Sequence, residues 1–390
     1  MDKLRVILGA CGIHLCIGSV YAWSVLTNPI MERTNWSLSE ITFTFSLAIL
    51  FLGFSAAFLG HKVKLWGPKK SASIAMVFYI SGLLGSSCAI EYGSIAMLYF
   101  FYGCIGGIGL GLGYIAPISS LLGWFPNAKG FAGGCAVMSF GFAAMVAGPI
   151  MRYFVETYGL IQNFIYMSMI YAVIMMLSVW LIKAPKPKVF DSNEDYTQEE
   201  IDYTPDRACH TLDFWILWSV FFINIASGIA ILSIASPMVE SLGMTPEEAA
   251  GLVGMVGLLN GGGRIFFASI SDHIGRRPTY CILFFTEIIA FFVLSLATNP
   301  YLFGNLVLLI AACYGAGFSC MPSYLSDLFG NTHLSEIHGR ILTAWGLAGI
   351  AGPLLLTITY EIFNRYDIAL HIFSLLFVAS LLIMGYIRKV

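Results

Sequence analysis

Charge is what this sequence has least of. Only 11% of its 390 residues are charged, while 58% are hydrophobic; a soluble globular protein carries about 25% charged residues. Mean hydropathy is +0.81. An aqueous globular domain is thereby excluded, and the chain reads as an integral membrane protein. No excess of either sign exists, since 20 Lys and Arg stand against 22 Asp and Glu, and nothing directs the chain toward nucleic acid. The nine cysteines show no paired spacing. Most of them, Cys11, Cys16, Cys104 and Cys313 included, lie in apolar runs where a free cysteine behaves as a small hydrophobe. Neither a disulfide framework nor a metal site is expected. No nucleophile–base pair and no metal-ligand spacing appears, so no enzyme and no cofactor is implied.

What fills the chain instead is apolar sequence in long blocks. A spanning helix needs roughly 20 mostly apolar residues. Twelve segments meet this, at 5–27, 39–60, 71–90, 95–122, 130–151, 161–182, 212–236, 247–270, 279–297, 302–328, 339–360 and 368–387. The first resembles a signal peptide, but its apolar run is long enough to cross the bilayer and is read as a retained helix. "SLSE" at 37–40 and "TPEE" at 245–248 predict capping boxes, the second with Pro246 at the first helical position. All spans are expected to be helical, because hydrocarbon satisfies no open backbone group.

The cations set the orientation. With the N-terminus in the cytoplasm, 16 of the 20 lysines and arginines fall in cytoplasmic segments. Arg33, Arg152 and Arg365 fall outside, and Arg264 lies within a span. That bias predicts both termini in the cytoplasm of a multi-pass protein of the cell's inner (plasma) membrane. The longest polar stretch, 183–211, divides the chain into a first six-helix half (1–182) and a second (212–390), and reads as a solvated linker. The halves echo each other: "YGCIGGIGLGLGYIAP" at 102–117 is similar to "YGAGFSCMP" at 314–322, and Gly148-Pro149 recurs as Gly352-Pro353. Internal repeats of this kind mark secondary transporters, whose substrate site lies near the midplane between them.

Several motifs resemble a known family. "ASISDHIGRRP" after the eighth span matches the major facilitator signature through Asp272, Gly275, Arg276 and Arg277, with Ala268 replacing its first glycine. "GHKVKLWGPKK" is the degenerate twin, with Lys64 where the aspartate belongs. "GSVYAWSVLTNPI", "NWSLSEITFTFSLA", "GWFPNAKGFAGGCAVMSFGFAA" and "FSCMPSYLSDLFG" resemble segments of the oxalate/formate antiporter family, itself related to the monocarboxylate transporters. The resemblance implies a major facilitator fold, all-α, with twelve transmembrane helices in two six-helix bundles. It also implies alternating access with small carboxylates as cargo, and a gating role for the Asp272–Arg277 motif.

Arg264 is the candidate anchor for such cargo. It lies eight residues inside Asp272, about 12 Å at roughly 1.5 Å per residue, and an arginine at that depth costs about 2.5–3.5 kcal/mol on insertion scales. Gly254, Gly257 and Gly261 precede it on one bare face, which offers either a close helix neighbour or a cavity wall. Asn260 sits one turn earlier and is placed to orient it. Glu287, the only carboxylate near the middle of a span, is expected at the back of the bundle, protonated or paired, rather than as a partner for Arg264. A guanidinium binds a carboxylate through two parallel hydrogen bonds, and the resemblance places a substrate-binding arginine at this position. Tyr21 and Trp23, Tyr114, and Tyr314 with Phe318 are candidates for an aromatic cage, Tyr114 also by resemblance. His14, mid-span in the first helix, is the candidate for proton coupling.

The antiporter pattern carries a lysine in its eleventh helix, within a T-A-K-G context. This chain reads Thr343-Ala344-Trp345-Gly346, so the oxalate activity does not carry over, and Trp345 joins the candidate substrate-binding residues. The expected function is secondary transport of a small organic anion, a monocarboxylate such as formate, lactate or pyruvate. A proton or a counter-anion is the coupling partner, the bilayer is the surroundings and the chain acts as a monomer. Two alternatives stand beside it: a polyspecific exporter of amphipathic compounds, indifferent to loss of Arg264, and a transporter-like membrane sensor that binds without flux.

Overall fold

The computed structural model describes residues 2–125, 129–183, 203–330 and 333–387. Twelve helices there are long and apolar enough to cross a membrane: α1 (Asp2–Ala22), α2 (Leu38–Gly60), α3 (Pro68–Glu91), α4 (Ile95–Leu121), α5 (Cys135–Tyr158), α6 (Leu160–Leu181), α7 (Leu212–Ser241), α8 (Pro246–Ile274), α9 (Arg276–Leu296), α10 (Pro300–Phe329), α11 (Glu336–Phe363) and α12 (Asp367–Tyr386). Both expected capping boxes form, at Ser37/Glu40 and Thr245/Glu248, with Pro246 in the first turn of α8. Several helices outrun the apolar runs that announce them. The helix of α5 continues to Tyr158 rather than 151, and that of α8 to Ile274 rather than 270. Hydropathy registers only the part of a helix that meets hydrocarbon, and the polar last turns stay helical beyond it.

The helices form two six-helix bundles. Within the first, α1 packs on α4, α5 and α6; within the second, α7 packs on α10, α11 and α12. The bundles meet along two seams, α2 with α11 and α5 with α8. Both seams are closed by glycine. A β-carbon at Gly53 would lie 2.5 Å from the Gly346 nitrogen, and one at Gly141 would lie 2.8 Å from the Gly261 α-carbon. Any side chain at these crossings would push the bundles apart. This settles the bare face before Arg264: Gly257 and Gly261 meet α5 directly, so the face serves a helix neighbour rather than a cavity wall.

Helical geometry breaks in three of the spans. The chain tightens to a 3-10 helix over Gly18–Ala22 in α1, and loosens to a π-helix over Tyr99–Gly106 in α4. In α7 Ile234 leaves helical geometry (φ −136°, ψ 22°), three residues before Pro237, whose ring lacks an N–H and crowds the preceding turn. The two related loops share one backbone conformation: Gly67 (φ 79°, ψ 160°) and Gly275 (φ 91°, ψ 158°) each turn the chain from one span into the next. Positive φ is cheap only for glycine. Residues 184–202 of the 183–211 stretch lie outside the described residues, as do 126–128 of the "GWFPNAKG" segment. The end of that stretch is held at the second bundle: the Tyr203 N–H donates to the Phe329 carbonyl at 2.9 Å, and Asp206 pairs with Arg340 of α11 at 2.7 Å.

Candidate functional site

Arg264 is buried, 3% exposed, in the middle of the molecule. Its Nε donates to Asn260 Oδ1, one turn earlier on α8, at 3.0 Å. That bond uses one edge of the guanidinium and fixes its plane. The Cζ atom lies 5.0 Å over the ring of Phe318 from α10, a cation–π contact that offsets part of the cost of burial. Among the described residues no carboxylate pairs with Arg264. Glu287, on α9, instead accepts from Asn224 Nδ2 of α7 at 3.2 and 3.4 Å.

Around this cation the other candidates assemble into one cluster drawn from both bundles. Phe318 packs edge-on against Trp345 of α11 at 4.7 Å between centroids, and Trp345 against Tyr114 of α4 at 5.2 Å. His14 of α1 stacks on Tyr114 at 5.3 Å. The His14 Nε2 lies 3.0 Å from the Tyr114 carbonyl oxygen, which can only accept, so Nε2 carries the proton. Tyr21 of α1 and Tyr314 of α10 share a 2.6 Å hydrogen bond between hydroxyls, directly across the two bundles. Three buried N–H donors in this set, Arg264 Nη1, Asn260 Nδ2 and Trp345 Nε1, have no acceptor among the described residues. Each such donor costs about 1–3 kcal/mol if left unpaired. One acceptor of the cluster, His14 Nδ1, is unpartnered as well, so the set favours a ligand with more acceptors than donors.

Two residues depart from the sequence reading. Trp23, expected in the cage, packs on Tyr102 of α4 at 4.3 Å, two residues along from Tyr21 and so on another face. Phe140 of α5 was not anticipated, yet it contacts Tyr21, Tyr114, His14 and Trp345 at 5.0, 5.7, 6.1 and 6.3 Å. It precedes Gly141, the residue that brings α5 against α8, so the seam itself delivers the ring to the site.

At the end of the molecule carrying Asp272, the signature residues form a network. Arg276 pairs with Asp272 and with Asp327 of α10 (3.1 Å for the latter), and its Nη1 donates to Ser271 Oγ. Arg277 donates to the Gly385 carbonyl at the end of α12 at 3.1 Å. Asp327 was missed by the sequence reading, although it stands in "PSYLSDLFG" at the same membrane end as the arginines. The opposite end holds three contacts between bundles. Asn28 donates to Glu240 at 2.7 Å, the Ser39 N–H donates to Glu361 at 2.9 Å, and Arg152 faces Glu247 at 3.6 Å.

Two six-helix bundles enclosing aromatic rings and, among the described residues, a single buried cation have the form of a membrane transporter. The chain belongs to the Major Facilitator Superfamily, whose model matches residues 8–353 and 216–389. It is 26% identical over 347 residues to an uncharacterized MFS-type transporter, YhjX, of Escherichia coli, covering 88% of this chain and 85% of that one. It is 25% identical over 342 residues to the oxalate:formate antiporter of Oxalobacter formigenes (86% and 79%), and 22% identical over 443 residues to apicoplast pyruvate carrier 1 of Toxoplasma gondii (86% and 79%). The fold matches that of a D-xylose-proton symporter with a TM-score of 0.74 at 17% identity, covering 99% and 98% of the two chains.

Proposed function

We propose that this transporter moves a small monocarboxylate, of the formate, lactate or pyruvate type, across the cell's plasma membrane by alternating access. Arg264 anchors the carboxylate, Asn260 holds the guanidinium in plane, and Trp345 and the Tyr21–Tyr314 pair supply further donors. Tyr114, Phe318 and Phe140 exclude water. The halves 1–182 and 212–390 rock about this site, with both termini cytoplasmic. The Asp272–Arg276–Asp327 network ties α8, α9 and α10 of the second half together at the cytoplasmic side, and Asn28–Glu240 with Arg152–Glu247 latches the two halves on the outer side. One observation carries the reading: a buried arginine with an unpartnered Nη1 and no carboxylate of the described residues to neutralise it. The names of the relatives, an oxalate:formate antiporter and a pyruvate carrier, agree with it.

The test is uptake by purified protein in proteoliposomes, with formate, lactate, pyruvate, oxalate and a set of amphipathic cations, each with and without a pH gradient. Saturable counterflow of a monocarboxylate is expected. Extrusion of amphipathic compounds with no carboxylate flux would identify an exporter, and binding without any flux would identify a sensor. The same assay assigns coupling. His14→Gln is expected to abolish acid-stimulated accumulation while sparing counterflow exchange. Should pH-driven uptake persist in that variant, His14 serves packing against Tyr114 and exchange of anions is the better mechanism.

A further inference from the structure

The loop joining α2 to α3 and its twin joining α8 to α9 share a glycine turn but differ in charge. In the twin, Arg276 is neutralised by Asp272 and Asp327. The first loop has no such acid. Residues 41–90 contain Lys62, Lys64, Lys69 and Lys70 and not one Asp or Glu. Among the described residues no carboxylate pairs with Lys62, Lys69 or Lys70. Beside this unneutralised charge lies an open groove of about 700 Å³, lined by Trp66, Lys69, Lys70, Ile74, Val77 and Phe78.

We propose that this groove binds an anionic phospholipid, with the headgroup phosphate on Lys69 and Lys70 and an acyl chain along Ile74, Val77 and Phe78. Ile74 stands four residues from both Lys70 and Phe78 on α3, and Val77 three from Ile74, so the four lie on one side of the helix. That face runs from the first turn of a membrane span toward its middle, over about 12 Å from Lys70 to Phe78 at roughly 1.5 Å per residue. Cations come at headgroup depth and an apolar strip follows at hydrocarbon depth, which is the polarity of a lipid and of no soluble anion. Trp66 and Val77 are 37% and 58% exposed, and Trp66 sits at the span end, where the amphipathic indole favours the interface. Lysines close to a membrane surface gain most from anionic lipid. A lipid phosphate here supplies the negative charge that Asp272 supplies in the twin loop.

The experiment is native mass spectrometry of the full-length, delipidated protein, titrated with phosphatidylglycerol or phosphatidylcholine. Wild type is expected to retain phosphatidylglycerol preferentially. K69Q/K70Q should lower that retention roughly tenfold, while K186Q/K188Q, which removes an equal charge from the long polar stretch, should leave it unchanged. Val77→Trp keeps both lysines but fills the strip, and should also weaken retention. Thermal unfolding in detergent verifies that each variant is folded. Equal retention by wild type and K69Q/K70Q overturns the proposal. Retention that survives Val77→Trp, or that inorganic phosphate displaces at matched concentration, reduces the site to an anion contact and overturns it too. Lipid retention that appears only after neutralising the acidic residues between 191 and 202 would give the groove to that segment instead.

Discussion

Arg264→Gln is expected to lower carrier-mediated flux by at least about a hundredfold while leaving membrane insertion and thermal stability intact. A charge-assisted hydrogen bond contributes about 1.5–3 kcal/mol, and a carboxylate held bidentately forms two. At about 1.4 kcal/mol per tenfold, losing both exceeds a hundredfold. Stability should not fall, because the charged side chain costs about 2.5–3.5 kcal/mol at this depth and glutamine removes that cost. Its amide also remains able to donate to Asn260. Arg264→Lys should be impaired as well. A lysine keeps the charge but loses the planar fork and the Nε bond that fixes it to Asn260 at 3.0 Å. Uptake is measured in proteoliposomes at matched protein density, with unfolding temperature read in parallel. Near-normal flux in the glutamine variant would remove Arg264 from the binding site, and a large drop in its unfolding temperature would make the residue structural.

Those features that depend on one helix at a time were legible before any coordinates. The twelve spans follow from apolar length, the capping boxes from four-residue patterns, and the depth of Arg264 from counting residues back to Asp272. Asn260 was legible for the same reason, since a residue four positions away on a helix is a neighbour. Features that depend on which helices meet were not. Phe140 and Phe142 lie two apart on α5 and so point to different faces; only the approach of Gly141 to Gly261 decides that Phe140 enters the site while Phe142 packs on Gly261. Trp23 went astray because it lies two residues from Tyr21, and residues two apart on a helix do not share a face. The contacts of Glu240, Glu247 and Glu361 between the bundles were hidden for the same reason as Phe140. Each acid sits at a span end, where a charge is ordinary, and becomes informative only through its partner on the other bundle.

Trp345 shows where a departure from a family pattern and the geometry speak together, and it yields the second large expected effect. Discrimination against oxalate should reach at least about a hundredfold relative to the best monocarboxylate. The lysine that the antiporter pattern places at this position is replaced by an indole that is fully buried between Tyr114 and Phe318. Its unpartnered Nε1 can donate one hydrogen bond but carries no charge. Arg264 therefore neutralises one carboxylate, and the second carboxylate of oxalate would be enclosed among aromatic rings without a counter-charge. An uncompensated buried charge costs several kcal/mol, and each ~1.4 kcal/mol is a tenfold loss of affinity. His14 is the one other group of the cluster able to become cationic. Its Nε2–H is already committed to the Tyr114 carbonyl, so it would have to take up a second proton at the other ring nitrogen. At neutral pH an imidazole of ordinary pKa, about 6.5, is mostly uncharged, so the comparison belongs there. Competition against labelled monocarboxylate uptake, run with oxalate and with formate or lactate at pH 7.5, measures the ratio directly. Oxalate competing as well as the monocarboxylates would mean that a second cation reaches the site. Weak competition at pH 7.5 that strengthens in acid and is lost in His14→Gln would identify that cation as His14.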